Sequence, residues 1–307
     1  MIQKTEYIWM DGKLIPWDDA KVHVLTHSLH YGVAAFEGIR AYVTESGQSA
    51  VFRLDKHVDR FFDSAHIMLM DYPYTKQEIS NAILETLRKN RLRAGYIRPI
   101  SFLGYGDMGL YVENNPVHIA IAAWPWGAYL GEDGLKNGIR IKISSFVRYN
   151  VNASMSKAKI SGAYVNSILA KRESKLAGYD ETILLDEEGY VAEGSGENVF
   201  IVKDGVLKTP PLTSILPGIT RATILQLAKE SGIPVEETRF TRDELYIADG
   251  AFLSGTAAEI TPIREVDNRT IGAGKPEPIT LRIQKIFFDS VKGKDKKHKD
   301  WLFSYKV

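Results

Sequence analysis

The stretch "KAKISGAYVNS", residues 157–167, places two lysines, Lys157 and Lys159, just ahead of a segment with helical spacing. Lysine is costly to bury, so a solvated pair on the surface is the ordinary interpretation. The alternative is that one amine is held out of water for covalent chemistry. Both side chains would share one face of an extended strand, so periodicity alone does not choose between the two lysines.

Composition sets the first limits. The chain has 307 residues, 44% of them apolar, and a formal net charge of +1. This length allows two domains, and the charge gives no long-range field that would recruit nucleic acid or an anionic membrane. The absence of cysteine excludes disulfides, thiolate metal sites and cysteine nucleophiles. With no signal-peptide pattern and no apolar run long enough to span a bilayer, the sequence favours a cytoplasmic protein.

Apolar periodicity predicts strands and helices in both halves of the chain. The first half reads as a hairpin about Asp11–Gly12, two helices and two buried strands. The helices are predicted over 54–69, with Leu54, Val58, Phe61, Phe62, Ala65 and Leu69 along one side, and from the Thr75 capping box to about Asn90. A glycine-rich stretch without periodicity follows. The predicted organisation is therefore domain 1–128, linker loop 129–137 and domain 138–307. The second domain is expected to mix helices over 162–177, 219–231 and 279–291 with short, frequent strands.

Several short patterns are rejected. "SMSK", residues 154–157, lacks the partner motifs of penicillin-recognising enzymes. His23, His27 and His30 lack the carboxylates of a metal site, so they are expected to pack or to form hydrogen bonds, and no metal is expected. "GSGENV", residues 194–199, has valine at the third dinucleotide-binding position and no helix after it.

Three other segments contain residues suited to binding a ligand. In "GYVAEGSGENVF", residues 189–200, Glu193 precedes glycines that allow close approach of backbone to a flat ligand. In "SILPGITRATILQLAKE", residues 214–230, Pro217–Gly218 bend the chain and Thr220 is expected to cap a helix whose first amides suit a phosphate. "LSGTAAEITP", residues 253–262, runs a strand into small residues with a hydroxyl and amides. Together with a lysine and a tyrosine, these groups are what pyridoxal phosphate requires.

In the order Lys159, Tyr164, Glu193, "LPGIT" and "SGTAAE", the chain resembles the fold-type IV pyridoxal-phosphate enzymes. "HSLHYGVAAFEGIRAY", residues 27–42, and "YIRP", residues 96–99, resemble the branched-chain amino-acid aminotransferases among them. The likeness runs from about residue 6 to 290. It implies an α+β / α/β protein of two domains. The small N-terminal domain would be α/β, and the larger C-terminal domain would have a mostly antiparallel, barrel-like sheet.

The resemblance also implies residue roles. Lys159 matches the Schiff-base lysine, which leaves Lys157 as a surface residue, and Glu193 and Tyr164 match the partners of the pyridine nitrogen and the ring oxygen. The implied cofactor-binding residues are Arg60, Lys159, Tyr164, Glu193, Gly196, Leu216, Gly218, Ile219, Thr220, Gly255 and Thr256. The implied substrate-binding residues are Tyr31, Phe36, Gly38, Arg40, Tyr96, Arg98, Trp126, Tyr129, Thr256, Ala257 and Ala258.

The activity so implied is transfer of the amino group of L-leucine, L-isoleucine or L-valine to 2-oxoglutarate, with amino acids and 2-oxo acids as the only partners besides further copies of the chain. A homodimer at least is expected, with a homohexamer as a further possibility. The loop 105–116 departs from the family pattern in length and tail, which leaves substrate breadth open. The alternatives are a D-amino-acid or (R)-amine aminotransferase, a lyase on the same scaffold, and a non-enzymatic cofactor-binding protein. Arg40 and Arg98 argue against the first two, and Lys159 argues against the last.

Overall fold

The computed structural model describes residues 2–307, which divide into two compact units. The first unit comprises the chain up to Gly127 together with Ala158–Ala163 and Ser290–Val307. The second comprises Ala128–Lys157 and Tyr164–Asp289. Lys159 therefore belongs to the first unit and Lys157 to the second. Among the described residues, no helix is long and apolar enough to cross a membrane.

The first unit is an antiparallel sheet with helices packed against it. Its elements are β1 Tyr7–Met10, β2 Lys13–Pro16, α1 His27–Tyr31, β3 Ala34–Phe36, β4 Ile39–Val43, β5 Ser49–Phe52, α2 Leu54–Ile67, α3 Lys76–Lys89, β6 Gly95–Leu103 and β7 Val117–Trp124. The strand β17, Leu302–Tyr305, completes the sheet in the order β17-β5-β4-β6-β7-β1-β2, and β3 pairs with β6. The hairpin predicted about Asp11–Gly12 is confirmed by the register of β1 and β2.

The predicted amphipathic helix over 54–69 is confirmed except at its end. Leu54, Val58, Phe61 and Ala65 are buried against the sheet, as their spacing predicts. The helix ends at Ile67, and Leu69 adopts a left-handed backbone with a φ of 53° and is exposed. Met70 is the residue that returns to the core, so the placement of Leu69 on the apolar side is wrong. The capping box at Thr75 is confirmed, since the Thr75 side chain and the Glu78 side chain each accept from the other residue's backbone amide.

The second unit is built on a closed barrel of six strands. Its strands are β8 Ile139–Ile143, β9 Glu181–Leu185, β10 Val191–Gly194, β11 Asn198–Lys203, β12 Val206–Thr209, β13 Val235–Glu237, β14 Gly250–Gly255, β15 Glu259–Val266 and β16 Arg269–Thr270. The ring runs β10-β9-β8-β15-β14-β11 and returns to β10. Four of its pairs are antiparallel and two, β8 with β9 and with β15, are parallel, so the expected barrel-like and mostly antiparallel sheet is confirmed.

Alternation along the barrel strands places a core on each side of the sheet. Val199 and Ile201 belong to the main buried cluster of this unit. Phe200, between them, points to the opposite face and stacks on Phe252 at 4.9 Å between ring centroids. Strands buried on both faces read as continuous apolar runs, which explains why "ENVFIVK" could be predicted as a strand.

Helices α4 Glu132–Asn137, α5 Tyr164–Leu176, α6 Ile219–Glu230, α7 Arg242–Tyr246 and α8 Pro278–Val291 complete the architecture. The predicted helices over 162–177, 219–231 and 279–291 are confirmed within a few residues. The stretch 129–137, predicted as a linker loop, includes α4, which packs on β15 of the second unit. The domain limits drawn from the sequence stay a prediction.

Candidate active site

Lys159 lies in a segment of the first unit whose backbone is bound on both sides. Its amide donates to Ser64 Oγ at 3.0 Å, and its carbonyl accepts from the Phe36 amide at 3.0 Å. Ala35 and Ile160 form an antiparallel bridge next to this contact. The Lys159 ammonium lies 4.9 Å from the centroid of the Phe36 ring. The amine is therefore half-buried over an aromatic face on a fixed stretch of backbone.

Lys157 was predicted to be a surface residue, and this prediction is wrong. Its side chain is half-buried in the second unit, and its ammonium donates to the backbone carbonyls of Leu212, Thr213 and Ile215. Burial lowers the pKa of the Lys157 amine below its ordinary value, although the charge of Glu193 acts in the opposite direction. By binding these carbonyl oxygens, the Lys157 ammonium stabilises the loop that precedes α6, so its role is structural.

Arg60 projects from α2 into a cluster with Glu37 and His57. The Arg60 guanidinium binds the Glu37 carboxylate through Nε at 2.7 Å and through Nη2 at 3.0 Å. His57 Nδ1 lies 2.7 Å from Glu37 Oε2 and donates to it. Burial alone would raise the pKa of the Glu37 carboxyl, but the charge of Arg60 and the hydrogen bond from His57 outweigh it and hold that pKa well below its usual range. Burial lowers the pKa of His57. The cluster therefore places a buried carboxylate between a guanidinium and an imidazole.

Sequence reasoning singled out Arg60 but neither Glu37 nor His57. One signal was available, since His57 and Arg60 are three residues apart on a helix and must share a face. Glu37 could not be identified as their partner because β3 and α2 approach each other only in the folded chain.

Aromatic rings surround Arg98 in the first unit. Its guanidinium carbon lies 4.8 Å from the centroid of the Phe36 ring, and Nη2 donates to Tyr96 Oη at 3.2 Å. The Tyr96 ring meets Trp126 edge-on at 4.4 Å. A Cβ at Gly38 would lie 1.9 Å from Tyr96 Oη, so only glycine permits this position of the tyrosine. Arg98 Nε is buried and has no hydrogen-bond partner among the described residues, which leaves a donor in an aromatic environment.

The remaining predicted residues of the first unit include Arg40, which is the cross-strand partner of Tyr96 between β4 and β6, and Tyr31 on α1. Arg40 donates to the Gly127 carbonyl at 3.2 Å. Tyr31 ends α1 with its ring 4.6 Å from that of His27, and it is 41% exposed. His27 and His30 bond to the carbonyls of Gly109 and Val24, and His23 accepts from the Leu25 amide. The expectation that these histidines form hydrogen bonds is confirmed.

Glu193 occupies the point at which the barrel of the second unit closes. It pairs with Asn198 across β10 and β11, and the register against β9 shifts between Val191 and Glu193. Such a bulge re-aims a side chain without ending the strand. The buried carboxylate pairs with Arg148 Nε at 2.7 Å, and Oε2 accepts from the Leu216 amide at 3.1 Å and from Asn198 Nδ2 at 3.3 Å. One ion pair and two hydrogen bonds therefore hold the buried Glu193 carboxylate. Arg148 and Asn198 had no sequence signal.

Helix α6 begins at Ile219, one residue before Thr220, which was predicted to be its N-cap. Its N-cap is Gly218, without a side-chain hydrogen bond, and Thr220 is a buried residue inside the first turn. The prediction that Thr220 caps the helix is therefore wrong. A Cβ at Gly218 would lie 1.9 Å from Asn198 Oδ1, which excludes any larger residue that could cap with its side chain. The prediction that these amides bind a phosphate remains, because an end that no side chain caps suits an anion.

The other predicted residues of the second unit lie in turns and at element ends. Gly255 ends β14, and Thr256–Ala258 form the turn before β15. Thr261 Oγ1 donates to the Ala258 carbonyl at 2.7 Å and braces this turn. A Cβ added at Gly196 would have no atom within 4 Å, so one side of its backbone is open. Tyr164 starts α5, and the Tyr129 ring lies 5.5 Å from the Lys171 ammonium.

Each unit, taken by itself, contains groups of the kind that pyridoxal phosphate requires. The first unit presents a fixed lysine amine, for an aldehyde, and a guanidinium whose plane is set by Glu37. The second presents a buried carboxylate, for a pyridine nitrogen, and a helix N-terminus without a side-chain cap, for a phosphate.

Comparisons with known proteins agree with this chemistry. The family model described as "Amino-transferase class IV" matches residues 34–266. A branched-chain-amino-acid aminotransferase of Pseudomonas aeruginosa is 56% identical, with 98% of each chain covered. The crystal structure of the Escherichia coli branched-chain amino acid aminotransferase has a TM-score of 0.95 and 46% identity, covering 98% of this chain and 99% of that one. The enzyme of the same name from Thermobaculum terrenum, solved in its PLP-form, has a TM-score of 0.92 and 35% identity, covering 99% of each chain.

The chain matches this family's model over most of its length, and it contains a fixed lysine, a buried carboxylate and a helix end without a side-chain cap. The chain therefore belongs to the class IV aminotransferases, which are pyridoxal-phosphate-dependent enzymes of fold type IV.

Proposed function

We propose that the protein transfers the amino group of L-leucine, L-isoleucine or L-valine to 2-oxoglutarate and so forms L-glutamate and branched 2-oxo acids. The relatives named for this activity are similar over nearly the whole chain. The observation that carries the proposal is the environment of Arg98. An apolar side chain fits the aromatic surfaces of Phe36 and Tyr96, and the buried Nε of Arg98 supplies the donor that a second carboxylate needs.

The residues divide the chemistry between them. When bound, pyridoxal phosphate supplies a protonated ring that withdraws electrons from the substrate Cα. Lys159 Nζ would hold the cofactor and would move the proton at the substrate Cα. Glu193 would hold the proton on the ring nitrogen, and Arg148 pairs with the Glu193 carboxylate. Tyr164 binds the ring oxygen.

The remaining assignments concern the phosphate and the substrate. Arg60, with Ile219, Thr220 and Thr256, binds the phosphate. The amides of Ala257 and Ala258, with Tyr96, receive the α-carboxylate of the substrate. The substrate side chain lies against Tyr31, Phe36, Trp126 and Tyr129, and Arg98 receives the distal carboxylate of glutamate, with Arg40 near the same pocket.

The assignment of Lys159 is tested by borohydride reduction of the holoprotein and tandem mass spectrometry. The cofactor should be fixed on Lys159, because the Lys157 amine is already engaged with backbone carbonyls. Lys159→Ala should abolish turnover. The matched variant Lys157→Ala, which loses the same group two residues away, should remain labelled at Lys159. Reduced cofactor on Lys157 or Lys171 would contradict the assignment.

The role of Arg98 is tested by single-turnover spectroscopy of each half-reaction. Losing one partner of a buried charge pair costs about 2–5 kcal/mol. At about 1.4 kcal/mol per tenfold, Arg98→Met should weaken glutamate and 2-oxoglutarate by roughly 30-fold or more. Leucine has no distal carboxylate and should lose much less. Arg93→Met, an exposed arginine of the same unit, is the control. Equal losses for leucine and glutamate would make Arg98 a structural residue.

A homodimer at least is part of the proposal, and a hexamer built from dimers is compatible with it. In the loop 105–116 of the first unit, Tyr105, Met108, Leu110 and Tyr111 are exposed. On α5 of the second unit, Val165, Ile168, Leu169 and Leu176 are exposed as well. Several exposed apolar side chains within one loop or one helix are typical of a protein interface. We also propose a cytoplasmic location, as expected from the sequence.

Assembly is tested by analytical ultracentrifugation. Leu110 is 92% exposed, so Leu110→Asp should not disturb the fold of the single chain but should raise the dimer dissociation constant about tenfold or more, as expected from the loss of one buried leucine. Leu69→Asp, at 89% exposure outside both apolar groups, should leave that constant unchanged. A wild-type protein that is fully active as a monomer would contradict the proposed assembly.

A further inference from the structure

Glu37 is a carboxylate with no exposed surface in the middle of the first unit. Its relative exposure is 0%, and that of its neighbour His57 is 1%. A buried charge without partners would be prohibitively costly, so the fold must supply donors. Neighbouring side chains supply three contacts, two from the Arg60 guanidinium and one from His57 Nδ1. The carboxylate is therefore held at both oxygens.

The two-point contact fixes the orientation of Arg60. A single hydrogen bond would let the planar guanidinium rotate about it, whereas parallel bonds through Nε and Nη2 set its plane. The side chain of Arg60 is only 10% exposed, so water does not replace this contact easily. With Nε and Nη2 bound to Glu37, the direction of Nη1 is determined as well.

The same residues connect Arg60 to Lys159 through a closed circuit of hydrogen bonds. The Arg60 carbonyl accepts from Ser64 Oγ at 2.8 Å, and Ser64 Oγ accepts from the Lys159 amide at 3.0 Å. The Lys159 carbonyl accepts from the Phe36 amide at 3.0 Å, and Phe36 is bonded covalently to Glu37. From Glu37 the circuit returns to the Arg60 guanidinium. The Arg60 guanidinium and the backbone of Lys159, which belong to distant segments, are thereby held in one register.

We propose that Glu37 is a positioning residue that aims Arg60 at the phosphate of the cofactor and keeps it in register with Lys159. The inference rests on the proposed role of Arg60 as a phosphate ligand. Glu37 cancels the charge of Arg60 at close range, so its presence weakens the nonspecific attraction of Arg60 for anions. The ion pair instead fixes the orientation of the Arg60 guanidinium, and a guanidinium binds phosphate best when its plane is preset.

The test measures dissociation constants of the apoprotein for pyridoxal phosphate and for pyridoxal, which lacks the phosphate. Glu37→Gln should raise the constant for pyridoxal phosphate about tenfold or more, equivalent to about 1.4 kcal/mol, and leave that for pyridoxal nearly unchanged. In the Arg60→Met background the same substitution should have no further effect on the ratio of the two constants. Thr86→Val, at another fully buried hydrogen bond of this unit, is the control and should not change the ratio.

Folding is followed by the thermal unfolding midpoint of each apoprotein. If Glu37→Gln does not fold, Glu37→Asp keeps the charge but shortens the side chain by one methylene. It cannot keep both arginine contacts, so a smaller loss restricted to pyridoxal phosphate is expected. Equal losses for both ligands, or tighter binding of pyridoxal phosphate, would overturn the inference. If Arg60→Met itself leaves the ratio unchanged, the proposed role of Arg60 fails instead, which separates the two failures.

Discussion

A carboxylate removed from water has to meet donors on nearly every side, and each unit of this protein contains one. Glu37 in the first unit is held by Arg60 and His57, and Glu193 in the second is held by Arg148, Asn198 and the Leu216 amide. Because leaving such a charge unpaired costs several kcal/mol, the surrounding backbone has little freedom to move. The positions of the proposed catalytic groups follow from these two constraints.

Local backbone features position the functional groups around these buried carboxylates. The bulge in β10 turns Glu193 toward its donors at the strand pair that closes the barrel. Gly218 starts α6 without a capping side chain because Asn198 occupies the space that a Cβ would need. The same Asn198 thus contacts Glu193 and fixes the residue type at the helix start. One side chain links the carboxylate to the predicted anion site of this unit.

Sequence patterns predicted those parts of the fold that depend on neighbours along the chain. The capping box at Thr75 spans three residues, and the helix over 54–69 is defined by its own apolar spacing. The errors concern contacts between distant segments. The sequence around Lys157 predicts a solvated side chain, because its partners Leu212 and Ile215 lie in a distant loop. Likewise, nothing near Thr220 in the sequence indicates that Asn198 excludes a capping side chain at Gly218. Among the candidate site residues, Lys159, Arg60 and Glu193 were identified by family resemblance, whereas Glu37, Arg148 and Asn198 were missed because their partners are remote in sequence or on other strands.

The activity proposed for this scaffold is the exchange of amino groups between branched L-amino acids and glutamate. The most direct measurement is a panel of amino donors with 2-oxoglutarate, containing both enantiomers of leucine and of 1-phenylethylamine, with both products quantified. The account predicts that L-leucine yields equal amounts of 4-methyl-2-oxopentanoate and L-glutamate, and that D-leucine yields neither. Product formation from D-leucine or (R)-1-phenylethylamine in preference to L-leucine would contradict it.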